Sequence, residues 1–104
     1  MKEPTFDRNG YPTEDTLRMI REWEGDWTDM FEFLRAIWKY PERWSIAMVE
    51  DEQCYRFSTG GWSGNEELVS ALEQNFFAMS LFWVSSHRGG LYYFAVPNGR
   101  ASDA

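Results

Sequence analysis

The stretch Trp44-Ser45-Ile46-Ala47-Met48-Val49-Glu50-Asp51-Glu52-Gln53-Cys54-Tyr55-Arg56-Phe57-Ser58 decides the fold. Residues 44 to 49 are rich in side chains that suit a pleated strand. Glu50-Asp51-Glu52 is a polar turn, and Cys54 to Ser58 alternates with period two, the spacing of a returning strand with one buried face. The segment reads as a β-hairpin with an acidic tip.

Downstream, Thr59-Gly60-Gly61-Trp62-Ser63-Gly64-Asn65-Glu66 is a glycine-rich connection into a helix carrying Leu68, Val69, Ala71 and Leu72. Ser63 and Glu66 have the spacing of a capping box, in which each side chain satisfies a free backbone amide at the helix start. The helix gives way near Asn75. The dense apolar run from Phe76 to Ser86 fits either a helix or a buried strand, and Ser80 to His87 is read as strand. Arg88-Gly89-Gly90 signals a tight turn, Leu91 to Val96 a last strand, and Pro97-Asn98-Gly99 its end.

Upstream, Thr13 is suited to cap a first helix over about Glu14 to Glu24, with acidic Glu14 and Asp15 in the first turn and Leu17, Ile20 and Trp23 at helical spacing. Gly25 ends it. Asp26 or Thr28 then caps a second helix whose apolar face runs from Met30 to Trp38 before Pro41. The order is helix, helix, strand, strand, helix, strand, strand. It predicts an α+β domain in which two hairpins form a four-stranded antiparallel sheet with about three helices on one face. Residues 1–12 read as an irregular arm, 13–97 as the single domain and 98–104 as a flexible tail.

Composition narrows function. With 104 residues the chain has one core, and aromatic residues make up 18%: six Trp, eight Phe and five Tyr. So many rings in a small domain place some at the surface, where an aromatic patch is a typical binding anchor. The net charge of −7 argues against a sequence-independent grip on nucleic acid, which needs Lys and Arg to displace counterions, and suits a basic partner. Cys54 is the single cysteine, so an internal disulfide and a four-cysteine zinc site are excluded and a reducing cytoplasm is expected. The apolar run from Phe76 to Val84 is too short to span a bilayer.

No catalytic or metal-binding constellation emerges, and no cofactor is expected. His87 is the single histidine. Gly61-Trp62-Ser63-Gly64 lacks the Gly-x-Ser-x-Gly spacing of a nucleophile elbow, and the loop lacks the Gly-Lys-Ser/Thr ending of a phosphate loop. Two binding surfaces remain as candidates. One is acidic, formed by Glu22, Glu24, Asp26, Asp29 and Glu32 around the helix junction. The other joins Gly60, Gly61, Trp62, Ser63 and Arg88, where helix-start amides would take an anion and Trp62, expected to be exposed, would stack on a small ligand such as a nucleotide signal.

The block Ser58-Thr59-Gly60-Gly61-Trp62-Ser63-Gly64-Asn65-Glu66-Glu67-Leu68, with Phe82-Trp83 and Ser85-Ser86-His87-Arg88-Gly89-Gly90, resembles a family of short, uncharacterised proteins encoded by bacteriophages and prophages. The resemblance spans about Tyr11 to Pro97 and implies context without assigning any site residue. In that context an acidic domain without enzymatic machinery is expected to bind and disable a host defence or regulatory protein, anti-CRISPR action being one form of this. A homodimer through the run from Phe76 is a further expectation.

Overall fold

The computed structural model describes residues 3–97. Its elements in chain order are α1 (Glu14–Arg21), α2 (Trp27–Ile37), a 3₁₀ turn (Pro41–Arg43), β1 (Trp44–Val49), β2 (Glu52–Ser58), α3 (Ser63–Glu73), α4 (Phe76–Phe82), β3 (Trp83–His87) and β4 (Leu91–Pro97). The four strands form one antiparallel sheet in the order β1-β2-β4-β3, so the two hairpins meet through β2 and β4. The α+β class and the four-stranded sheet stand as expected, whereas the described residues contain four helices rather than three. The expected tail, 98–104, lies outside the described residues, as do Met1 and Lys2 of the arm.

Alternation along the strands separates two faces. Trp44, Ile46, Tyr55, Phe57, Tyr92, Phe94 and Val96 point into one core with Ile20, Phe31 and Leu34 from α1 and α2, and Leu68, Leu72 and Phe82 from α3 and α4. Phe57 lies at the centre, stacked on Trp44 at 4.2 Å and on Phe94 at 5.9 Å between ring centres. Burying a large apolar side chain in this way contributes roughly 1.5–3 kcal/mol.

The extra helix corrects the reading of Ser80 to His87 as strand. Asn75 caps α4: its side-chain oxygen accepts from the Ala78 amide at 3.0 Å. Ala78 and Phe82, four apart and therefore on one helical face, are buried. The strand begins only at Trp83.

Asn75 also explains why α1 stops at Arg21 instead of reaching Glu24. Its amide nitrogen donates to the carbonyls of Ile20 and Trp23 at 2.8 and 3.0 Å, which satisfies the end of α1 from across the chain. At the start of α1, Thr13 accepts from the Thr16 amide as expected. Asp26 precedes α2 in the left-handed region (φ 44°) but makes no side-chain cap. Pro41 opens the 3₁₀ turn, where its missing amide costs nothing.

Candidate functional site

Three surfaces qualify as sites: the acidic junction, the glycine loop and the sheet face that no helix covers. At the junction, α1 ends and α2 begins around Trp23, whose indole N–H donates to the Gly25 carbonyl at 2.9 Å. The turn brings Glu22, Glu24 and Asp26 to a shallow cavity of about 380 Å³ that Met19 and Trp23 also line. All three carboxylates are exposed, as are Asp29 and Glu32 on α2. Asp29 and Glu32 lie above Tyr55, whose hydroxyl is pushed up to about 12 by burial first and then by the negative charge of Glu32 and Asp29.

Three carboxylates on α1 and α2 are paired with arginines, whereas Glu66, Glu67 and Glu73 on α3 form no ion pair among the described residues. Arg18 pairs with Asp15 at 3.4 Å, Arg21 with Glu14, and Arg35 with Glu32 at 3.9 Å. Among the described residues, Glu22, Glu24, Asp26 and Asp29 form no ion pair. Of the five acidic residues singled out from the sequence, Glu22, Glu24 and Asp26 line one cavity, while Asp29 and Glu32 stand on α2 and act on Tyr55.

The glycine loop is packed differently from the expectation. Gly60 and Gly61 both take positive φ (66° and 79°), which turns the chain from β2 into α3. The residue preceding α3 is Trp62, not Ser63, and it makes no side-chain cap. Ser63 is already the first helical residue, so the capping box does not form, and its hydroxyl instead sits 2.8 Å from that of Tyr11. The Trp62 ring folds over Gly64, where a Cβ would lie 2.2 Å from the ring, so the glycine is required for this closure.

Tyr11 packs on Trp62 at 5.0 Å and Lys39 Nζ stands 4.8 Å from the ring centre. Trp62 is thus half-buried rather than exposed, and Trp83 is instead an exposed tryptophan, at 46%. Asn65 locks the loop from beneath. Its side chain accepts from the Lys39 amide and donates to the carbonyls of Lys39 and Thr59. The Thr59 amide donates to the Gly90 carbonyl, which brings the turn carrying exposed Arg88 beside the loop.

The uncovered sheet face was missed as a site by the sequence reading. It forms a trough of about 480 Å³ lined by Ala47, Cys54, Arg56, Val84, Tyr93 and Ala95, among others. The Arg56 guanidinium lies over the Tyr93 ring at 4.7 Å, and His87 meets the same ring edge-on at 5.2 Å. The signal was present in the alternation of small residues with large rings along β1 and β2. Beside the trough, α4 and β3 expose Phe76 (73%), Phe77, Leu81, Trp83 and Val84, so the run from Phe76 is partly surface.

Chemistry at these places is limited by geometry. His87 Nε2 is 3.0 Å from Ser85 Oγ on exposed β3, while Ser63 is held by Tyr11, so Ser63 and His87 are engaged separately. Among the described residues, no group of three or more His, Cys, Asp or Glu side chains could hold a metal ion, and no helix is long and apolar enough to cross a membrane. Among the described residues the buried Trp44 indole N–H finds no hydrogen-bond partner, and neither cavity is lined by Trp44.

The arrangement is that of a small α+β domain with an acidic helix junction and exposed apolar side chains on α4 and β3. The chain matches no protein-family model, no curated protein and no solved structure.

Proposed function

We propose that this chain is a non-enzymatic, phage-encoded binding protein that acts in the host cytoplasm by occluding a basic surface of a host defence or regulatory protein, as an anti-CRISPR protein would. The observation that carries the reading is the convergence of Glu22, Glu24 and Asp26 on one cavity, none of them in an ion pair among the described residues, beside Arg18, Arg21 and Arg35, which pair with Asp15, Glu14 and Glu32. Unpaired surface carboxylates set by a rigid helix junction steer a positively charged partner and fix its register. The resemblance to short phage proteins supplies the biological context. The glycine loop draws less support as a ligand pocket, because Tyr11, Gly64 and Lys39 already pack against Trp62.

The test is retention of a partner from bacterial lysate by tagged protein at low and moderate salt, comparing the wild type with Glu22→Lys/Asp26→Lys/Asp29→Lys. The wild type is expected to hold a stoichiometric protein that salt releases, and the triple variant to bind it at least about tenfold more weakly. All three positions are exposed, so the variant is expected to keep its fold. A partner held equally by both forms overturns the reading.

A further inference from the structure

We propose that the uncovered face of the sheet is the contact surface for a second copy of this chain, in a two-fold symmetric dimer whose axis runs across the strands beneath the row Ala47–Cys54–Ala95. This goes beyond the acidic-junction reading and uses the opposite side of the domain.

The strand register places the parts. Ala47, Cys54 and Ala95 are direct cross-strand partners on β1, β2 and β4, and all three line the trough. One row toward one end of the sheet stand the partners Arg56 and Tyr93, and one row toward the other end stand Glu52 and Pro97. Side chains two apart on a strand share a face, so Glu52, Cys54 and Arg56 all point to the open side. Arg56 and Glu52 are about 13 Å apart along β2, too far to pair with each other. Among the described residues neither forms an ion pair.

That arrangement is self-complementary under one symmetry only. A two-fold axis lying between the sheets and perpendicular to the strands reverses strand direction. It therefore sets Arg56 of each copy over Glu52 of the other, and Tyr93 over Pro97. An axis parallel to the strands would bring the two copies of Arg56 together at the same level and oppose like charges. The middle row of alanine and cysteine lets the backbones approach closely at the axis, where larger side chains would hold the sheets apart. Arg56 is already laid over Tyr93, so little side-chain freedom is lost on pairing.

The size of the face sets the strength. Four strands spaced about 4.8 Å and about six residues long project roughly 400 Å² per copy, about 800 Å² in all, the size of weak, transient interfaces. The dimer is accordingly weak, dissociating in the micromolar range or above.

Sedimentation equilibrium over a wide concentration range tests this, using Arg56→Glu, Glu52→Arg and the double variant that carries both. Each single reversal places like charges opposite one another and is expected to weaken the dimer at least about tenfold, while the double variant restores it. A short bismaleimide is expected to join two chains through Cys54, which lies on the axis. If Arg56→Glu fails to fold by circular dichroism, Ala95→Arg, a bulky charge in the middle row, takes its place and is expected to abolish the dimer. A chain that stays monomeric at millimolar concentration, as it would if a small apolar ligand or an unrelated protein were the natural occupant, overturns the proposal. So does a dimer indifferent to both reversals, a double variant no better than the singles, or a dimer that Cys54 does not crosslink.

Discussion

The two faces of the sheet are built from the same strands and have opposite contents. Toward the helices, every strand except β3 contributes large rings or branched chains to one core, and Tyr55, Phe57, Phe94 and Val96 are all but fully enclosed. Away from the helices, the same strands offer Ala47, Cys54 and Ala95, with Arg56 and Tyr93 at one end. Antiparallel sheets with one solvated face ordinarily alternate apolar with polar residues. Here the middle row is small and uncharged, with Arg56 and Glu52 on either side of it. The covered face therefore supplies stability, and the open face contributes little to it while remaining available for contact.

The largest test of that division is a truncation on each side. Phe57→Ala removes a ring that stacks on Trp44 and Phe94 and is expected to cost about 3–5 kcal/mol in urea unfolding. Ala95→Ser, one strand away on the open face, is expected to stay within about 0.5 kcal/mol. Comparable losses at both sites would mean that the open face is part of the monomer's stabilising core.

This division also explains what could be read from the chain. The hairpin from Trp44 to Ser58 was legible because period-two alternation is a local signal and both strands carry it. The trough was present in the same alternation, but which face the helices would cover is a tertiary fact. The run carrying α4 stayed open between helix and strand because Phe76, Phe77 and Leu81 are exposed, so hydrophobicity did not report burial along it. Asn75, three residues before Ala78, was the local cue to its start. The end of α1 had no local cue, since the carbonyl of Ile20 is satisfied by Asn75, 55 residues away. Ser63 likewise falls inside α3 rather than capping it, and its hydroxyl meets Tyr11, 52 residues distant. In the acidic cluster, composition was readable, whereas the pairing of Arg35 with Glu32, and of Arg18 and Arg21 with Asp15 and Glu14, required the fold.

A smaller effect sharpens the comparison by pH. Tyr55 belongs to the covered face and its folded pKa is raised to about 12, from an ordinary value of 10.0, by burial and then by Glu32 and Asp29. A raised folded value favours the neutral phenol in the native state. Its contribution is therefore complete below pH 10 and is lost as pH rises from about 10 through 12, at about 1.4 kcal/mol for each unit of separation. Urea unfolding across that window is expected to show a steeper alkaline loss in the wild type than in Tyr55→Phe. Equal slopes would place the origin elsewhere, Tyr92 being another phenol raised by burial.

The smallest effect concerns the tips of the two hairpins, which differ as the two faces do. The β3–β4 turn places glycine at its positive-φ positions, Gly89 (94°) and Gly90 (80°). The β1–β2 turn asks the same of Glu50 (49°) and Asp51 (70°), adjacent to one another in a two-residue connection. That geometry matches the twist of the flanking strands but favours Asn and Gly, because a side chain with a Cβ crowds the carbonyl in the left-handed region. Glu50 is exposed and stands at the tip, so its replacement disturbs no core contact. Glu50→Asn is therefore expected to stabilise the chain by roughly 0.5 kcal/mol, read as a higher urea midpoint with an unchanged slope. Since the turn lies at the end of β1 and β2 that carries Glu52, the same variant should leave dimer formation within about twofold of wild type, because Glu52 keeps its charge and its register. A stabilised chain with a weakened dimer would show that the acidic tip itself, and not Glu52 alone, meets Arg56 of the second copy.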